Sequence, residues 1–398
     1  GGILSSAVNM AQAALGAGTL GFAAALEKCG IGIGIFFTLC FAFTTVFSVR
    51  LLCHCMEQTH KTTYEDLVAK LIHPRAKTLL STIIVVFYWG TTILYVIAIG
   101  QILHPLTDSD SFPDWMRGEY GGRAVTTIFW LFIMLPLSLL KEMNSLRFSS
   151  ALGIVTIFIL MFAIMYHAEN DSPDWEGANW GKMDTGVLAA LPTICFSYSC
   201  QALCFPIYHE MHPRTPARMT KATGVGMFAS TIVYLCCGIW GYVNFGSHTK
   251  GDILQNYTNP TGKAYLMAAF VGMGATITFS FPVCIVPTRD SLLNVMGYRD
   301  VYSTPPLKRI AVAAFLSLTS LVIGLFISNI SVVFDLLGGI CGSSVCFIFP
   351  AWLALKSKNF DVKHQGWPTI IGTWALLAVG IATCVLGTAV SCYNEFSK

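Results

Sequence analysis

The sequence predicts an all-α integral membrane protein with eleven transmembrane helices, built as two five-helix repeats plus one extra helix. Composition is the first observation: 54% of the 398 residues are hydrophobic and 11% charged, with a mean hydropathy of +0.63. Soluble domains carry about 25% charged residues, so a water-exposed fold could not cover its surface with this material. The second is a series of apolar stretches, each near the roughly 20 residues that cross a bilayer. The third is a one-sided distribution of Lys and Arg between the loops. A net charge of +3, spread thinly, points to no nucleic-acid partner; the lipid bilayer is the expected surrounding.

The stretches run 3–26, 31–55, 79–103, 124–140, 148–167, 186–208, 222–244, 264–287, 309–327, 330–355 and 367–392. Between the second and third, residues 62–73 (TTYEDLVAKLIH) have the pattern of a short amphipathic helix on the membrane surface, ended by Pro74. The repeats are 1–167 and 186–355, followed by an added helix and tail over 366–398. The opening residues have no basic region before an apolar one and no small-residue cleavage site, so no signal peptide is expected.

Placing the N-terminus in the cytosol puts seventeen of the 24 basic residues in inner loops, among them Arg50, Lys61, Lys70, Arg75, Lys141 and Arg147. Thirteen of the 21 acids then fall outside, in loops such as TDSDSFPDW and ENDSPDWEGANW. The sequon Asn256-Tyr257-Thr258 also falls outside, which makes Asn256 the expected glycosylation site. With eleven spans the C-terminus is extracellular or luminal.

Two spans ask the backbone to break. Span 1 holds Gly16-Ala17-Gly18-Thr19-Leu20-Gly21, and span 6 holds Pro192 and Pro206 around Ser197-Tyr198-Ser199-Cys200-Gln201. In lipid an unwound turn survives only where it is buried in protein or lines a water-filled cavity. Interrupted spans at corresponding positions of two halves mark inverted-repeat transporters. A break at Gly16–Gly18 would present N–H groups and a helix dipole to an anion such as a carboxylate. Freed carbonyls near Phe196 and Ser197 would suit an ammonium.

Other motifs explain less. Gly16 to Gly21 matches G-x-G-x-x-G literally, but no strand precedes it, and positions 36–41 read FFTLCF where a ribose-binding acid would stand. Most of the fourteen cysteines lie in apolar runs, where a thiol acts as a small hydrophobe. Cys53 and Cys55 flank His54 without a matching pair, so no metal site is expected. His209-Glu210-Met211-His212 is one residue short of a zincin helix and is followed by Pro213; it reads as a solvated loop.

These residues resemble the amino acid/auxin permease family, which includes the system A and system N amino acid transporters. Span 1, from Asn9 to Gly21, is similar to that family's N-x-x-x-(N)-x-x-x-G-x-G-x-L-G segment. FSYSCQALCFPIYHEM of span 6 resembles F-S-F-x-C-x-x-x-x-P-I-Y-x-E-M, and TITFSFPVCIVPTRDSL of span 8 resembles T-x-T-x-P-x-x-x-x-P-x-R. The likeness runs the whole chain. It implies the LeuT-like five-plus-five inverted-repeat fold of the amino acid–polyamine–organocation transporters, with spans 1 and 6 unwound at mid-membrane and alternating access around them. It further implies that Gly16, Ala17, Gly18 and Thr19 hold the substrate carboxylate and that Phe196, Ser197 and Tyr198 face its amine. An ion site is implied between span 1 and the hydroxyls Thr278 and Ser280. The family asparagine of span 1 is replaced here by Gln12, one methylene longer, which puts sodium geometry in question. A loop–loop disulfide of some relatives cannot form, since the loops after spans 5 and 7 lack cysteines.

The side-chain pocket is expected from spans 3, 6, 8 and 10. Span 3 offers Tyr88, Trp89, Thr92 and Tyr95; Thr276 and Ser280 of span 8 are four apart on one helical face, and Thr276 completes the ion-coupling set Gln12, Thr278 and Ser280. No carboxylate lies deep in a span, which favours neutral substrates over arginine or lysine and leaves no obvious proton relay. Asp335, at the outer start of span 10, reads as an interfacial polar residue. The expectation is a monomeric secondary active transporter of amino acids working by ion-coupled symport, with protons favoured over sodium and no cofactor. It is not expected to be an enzyme, having no nucleophile–base or metal constellation. The plasma membrane is the expected location and an acidic organelle the alternative. The competing function is a sensor of the same fold, reporting through a cytosolic tail upstream of Gly1.

Overall fold

A computed structural model describes residues 2–107, 113, 116, 118–139, 147–171, 173–182, 184–257, 260–296, 298, 304–327, 329–358 and 360–396. Helices dominate in chain order: α1 (Ile3–Ala14), α2 (Gly18–Cys29), α3 (Ile31–Thr59), α4 (Tyr64–Leu71) and α5 (Pro74–Thr107). There follow α6 (Gly118–Ser138), α7 (Arg147–Asn170), α8 (Gly186–Ser197), α9 (Gln201–Glu210) and α10 (Pro216–Phe245). The last four are α11 (Ala264–Val295), α12 (Pro306–Phe326), α13 (Ile330–Lys356) and α14 (Trp367–Tyr393).

Among the described residues, ten helical segments are long and apolar enough to cross a membrane, with α8 and α9 together forming one. The first expected span is not among the ten; its helical bonding stops at Ala14 and resumes at Gly18. Each 12-residue piece is about 18 Å long, short of a hydrocarbon core of roughly 30 Å. Most other expected boundaries hold to within four residues, but α6 and α10 begin six residues earlier than expected and α11 runs eight residues further, to Val295. The stretch 79–103 gains a turn at each end, because Pro74 starts α5 where its missing N–H costs nothing. Lys141 and its neighbours lie outside the described residues.

The bundle is inside-out relative to a soluble protein. Phe36, Phe43, Phe132, Phe162, Phe228, Phe315 and Trp374 stand exposed on its outer surface, an apolar expanse that in a water-soluble monomer would mark an interface. Buried Ser and Thr hydroxyls inside mostly bond the carbonyl one turn back: Thr38 to Gly34, Thr91 to Phe87, Ser230 to Gly226 and Thr278 to Gly274. The protein is a multi-pass membrane protein. One end of the bundle carries the acid-rich loop at 171–185 together with the loop that follows α10; the opposite, basic end carries α4 and the turn at 211–215.

Helix α4 departs from the surface role expected of it. Thr63 caps it by accepting the Asp66 N–H. Its apolar face (Tyr64, Leu67, Val68) is buried against protein rather than lipid. The Tyr64 hydroxyl donates to the Val345 carbonyl at 2.7 Å, and its ring stacks on Phe205 of α9. All fourteen cysteines are free thiols, most of them buried.

Candidate functional site

Two interruptions of helix meet at the centre of the bundle. The first spans Leu15–Ala17 between α1 and α2, the second Tyr198–Cys200 between α8 and α9. Glycine decides how closely they approach. A Cβ on Gly18 would stand 2.9 Å from the Cα of Ser197, a contact backbone cannot relieve. Gly16 is different: the nearest atom to a Cβ there is the Tyr95 hydroxyl, at 3.9 Å. One glycine of the motif is therefore a packing residue, while the other opens onto space beside Tyr95.

Within the first break, Thr19 N–H donates to the Gly16 carbonyl (3.1 Å) and Leu20 N–H to the Ala17 carbonyl (3.0 Å). Among the described residues, the N–H groups of Gly16 and Ala17 reach no protein acceptor. They lie at the N-terminal, partially positive end of α2, the arrangement that favours an anion.

Tyr234 of α10 joins the two breaks. Its hydroxyl lies 2.6 Å from the carbonyl oxygen of Ala14 and 2.7 Å from that of Ser197. Each is a terminal carbonyl that a helix end leaves without an internal donor. The ring is fixed by stacking on Phe22 (centroids 4.6 Å, interplanar 1°) and by an edge contact with Tyr198. No local signal marks Tyr234, whose partners are 220 and 37 residues away.

The remaining predicted residues divide. Ser197 is buried against Gly18, its hydroxyl donating to the Thr193 carbonyl at 2.9 Å. Phe196 packs between Phe87 of α5 and Phe334 of α13. Tyr95 faces Gly16, with Ser280 and Cys284 of α11 as hydrogen-bonding neighbours of its hydroxyl. Tyr88 lines a narrow cleft with Phe87, Ser199, Gln201, Gly342 and Cys346.

Three others point elsewhere. Tyr198 turns to α10, its hydroxyl 2.7 Å from Thr231. Thr92 pairs with Ser320 of α12 at 2.6 Å. Thr276 pairs with Thr156 of α7. Helical rotation sets each direction, and residue type alone does not report it. Thr19 is fully buried, with its hydroxyl unpartnered.

Gln12 rests on α7, where a Cβ added to Gly153 would meet its side-chain amide, Nε2 first and Oε1 at 2.9 Å. That oxygen is buried without a donor. Gly153 in turn accepts from Thr156, at 2.9 Å. Thr156 and Thr276 thus join α7 to α11 in a polar cluster beside Gln12 of α1. Thr156 was not legible as part of it, because span 5 shows no irregularity.

Asp335 is not the interfacial residue expected. It is buried (7% exposed), accepting from Thr193 of α8 at 2.7 Å and pairing with Lys28 of α2 at 3.0 Å. Lys182 pairs likewise with Glu27 at 2.8 Å, and the backbone of Asn179 and Trp180 accepts from Ile31 and Gly32. The loop at 171–185 is thereby fastened over the corner between α2 and α3. His209 bonds Arg214, and His212 bonds the Glu210 carbonyl, both on exposed chain. Asn256 uses both ends of its amide locally: Nδ2 donates to the His248 carbonyl and Oδ1 accepts the Lys250 N–H. Thr258 of the sequon lies outside the described residues.

Comparison with known proteins agrees with this architecture. Residues 1–393 match the family model described as transmembrane amino acid transporter protein. The chain is 28% identical to sodium-coupled neutral amino acid transporter 7 of Xenopus laevis, covering 95% of this chain and 85% of that one. It is 25% identical to vacuolar amino acid transporter 5 of Schizosaccharomyces pombe, over 88% and 84% of the two chains. Among solved structures, the crystal structure of MhsT in complex with L-phenylalanine matches with a TM-score of 0.58 over 98% of both chains, at 14% identity. That match bears on the fold alone and makes it LeuT-like. The relatives are named as transporters, not enzymes, and this chain belongs to the transmembrane amino acid transporter family.

Proposed function

We propose that the protein is a secondary active transporter that carries neutral amino acids by alternating access around the two helix breaks. The observation that carries this reading is the juxtaposition of Gly16–Gly18 with Ser197, bridged by Tyr234. The Gly16 and Ala17 N–H groups and the α2 dipole receive the carboxylate, and carbonyl oxygens around Phe196 and Ser197 receive the amine. Thr19 and Tyr95 border the same space, and Tyr88 lines the route toward the basic end. In this reading α1/α2 and α8/α9 are spans 1 and 6 of two inverted five-helix repeats, each broken at mid-membrane, and α14 is the eleventh span.

A neutral side chain suits the surroundings. Lys28 of α2 and Asp335 of α13 are paired with each other, so a guanidinium or ammonium side chain would find no free counter-ion in Asp335. The name of the Xenopus laevis relative mentions sodium coupling, yet protons fit this chain better. Gln12 lies on Gly153, Thr278 bonds its own helix and Thr276 bonds Thr156, so the oxygens that would surround sodium are directed apart. The basic end is placed in the cytosol by charge asymmetry, and the acid-rich end faces the outside or an organelle lumen. The plasma membrane remains the favoured location, with an acidic organelle, suggested by the vacuolar relative, as the alternative.

The test is uptake by the purified protein in liposomes, offered labelled neutral and cationic amino acids under separate proton and sodium gradients. Accumulation of a neutral amino acid under a proton gradient is expected. Binding without flux under either gradient would replace the transporter reading with a sensor.

A further inference from the structure

The loop joining α10 to α11 folds back into the bundle at the acid-rich end. Asp252, Ile253 and Leu254 are all fully buried there, although they belong to no membrane helix. Ile253 wedges between α2 and α10: a Cβ on Gly241 would meet Ala23 Cβ at 2.9 Å and Ile253 Cδ1 at 3.0 Å. Gly251 lies against the first turn of α13, beside Ile330 and Ser331. The loop is thus seated on the half-helix that begins at the first break.

Asp252 sits at the centre of this contact. Its Oδ1 accepts the Leu254 N–H at 2.8 Å and starts the turn Ile253–Asn256. Its Oδ2 is buried without any hydrogen-bond partner. A charged carboxylate with one bare oxygen in a dry contact is costly, whereas a protonated carboxyl is far less so. Burial pushes this carboxyl up to about 7, opposed only by the Leu254 N–H.

Charged groups on the surrounding elements are engaged with one another. Lys28 of α2 pairs with Asp335 of α13, and Glu27 of α2 with Lys182. His104 near the end of α5 packs on Gly122 of α6. On the loop itself, exposed Lys250 extends its ammonium to the Gln255 carbonyl, and the His248 carbonyl accepts from Asn256. None supplies a counter-charge to Asp252.

We propose that Asp252 is a proton-binding site: its carboxylate takes up one proton as residues 251–257 seat on α2, α10 and α13, and releases it when they lift. The proton comes from, and returns to, the compartment at the acid-rich end, so acid there favours the covered state of α2. The sign follows from linkage. The seated carboxyl has a raised pKa, so its contribution to seating is complete below the ordinary carboxylate value and is lost as pH rises through the seated one. Which compartment supplies the proton rests on the orientation proposed above; the site itself does not.

Hydrogen–deuterium exchange of residues 251–257, followed by mass spectrometry on the purified full chain in detergent from pH 5.5 to 8.5, tests this without requiring transport. Rates are referred to an unstructured peptide of the same sequence. Wild-type protection should fall by up to about tenfold per pH unit between pH 5.5 and about 7, the limit for one linked proton, and level off above it, while Asp252→Asn stays protected throughout. A flat wild-type profile, or an Asp252→Asn profile that follows the wild type, overturns the assignment. If Asp252→Asn does not fold, the wild-type profile still decides: a fall between pH 5.5 and about 7 supports the site and a flat one rejects it. Failure of liposome uptake leaves this readout unmoved, so the two proposals fail separately.

Discussion

The Tyr234 hydroxyl lies 2.7 Å from the carbonyl oxygen of Ser197, the residue at which the first half of span 6 ends. The same hydroxyl is 2.6 Å from the Ala14 carbonyl, where α1 ends. One phenol on α10, with a single hydrogen, is therefore shared between both helix ends, and removing it leaves both buried carbonyls without that donor. A buried acceptor left unpaired costs about 1–3 kcal/mol. That is enough to make Tyr234 a determinant of how the two breaks are held.

Tyr234→Phe keeps the stack on Phe22 and removes only the hydroxyl. It should lower stability by about 1–3 kcal/mol and weaken amino acid binding by roughly tenfold, about 1.4 kcal/mol, as the breaks lose their common anchor. Melting in detergent and equilibrium binding measure the two effects. A variant with unchanged affinity would show that the bridge is dispensable to the site.

Gly16 and Gly18 should respond differently to the same added methyl. At Gly18 the Cβ meets the Ser197 backbone, so Gly18→Ala should destabilise by about 1–3 kcal/mol, as overpacked positions do. At Gly16 only Tyr95 is near, at 3.9 Å, so Gly16→Ala should melt like the wild type yet bind substrate more weakly. Equal melting losses in both variants would reduce the motif to packing alone.

The pair Lys28–Asp335 ties α2 to α13, with Thr193 of α8 as the third member. Asp335→Asn leaves Lys28 without its counter-ion. Lys28→Met in the same chain removes that orphan charge, so the double variant should be more stable than Asp335→Asn alone. A double-mutant cycle read by thermal melting should give a coupling energy within about 0.5–3 kcal/mol. Additive losses would show that the two side chains do not act together.

Gln12 offers a test of the coupling ion. If the longer amide, seated on Gly153 of α7, cannot place its oxygen where the shorter one would, Gln12→Asn should introduce a sodium requirement that the wild type lacks. Uptake with sodium replaced by choline measures this. Sodium dependence already present in the wild type would contradict the preference for protons.

Much of the fold was legible because lipid imposes simple rules on long apolar helices. Most span positions followed from hydropathy, and the interruptions of helical bonding at Leu15–Ala17 and Tyr198–Cys200 fall in the segments that hold Gly16–Gly18 and the polar centre flanked by Pro192 and Pro206. Rotation about each helix axis was not legible, because nearly every face of these helices is apolar. Thr92, Tyr198 and Thr276 therefore turn toward Ser320, Thr231 and Thr156 rather than the gap. Asp335 read as interfacial because its counter-ion Lys28 is 307 residues away. Asp252 escaped notice for a related reason: a charged residue between spans reads as solvent-exposed, and only tertiary packing buries it.

Competition by substrate analogues tests the central claim most directly. Labelled uptake of the preferred neutral amino acid would be challenged with its methyl ester and with the amine that lacks the carboxylate altogether. If the Gly16 and Ala17 N–H groups hold the carboxylate, neither analogue should compete at concentrations where the parent amino acid halves uptake. Inhibition by the decarboxylated amine at the parent's own concentration would contradict the account, since the broken first span would then be recognising something other than the carboxylate.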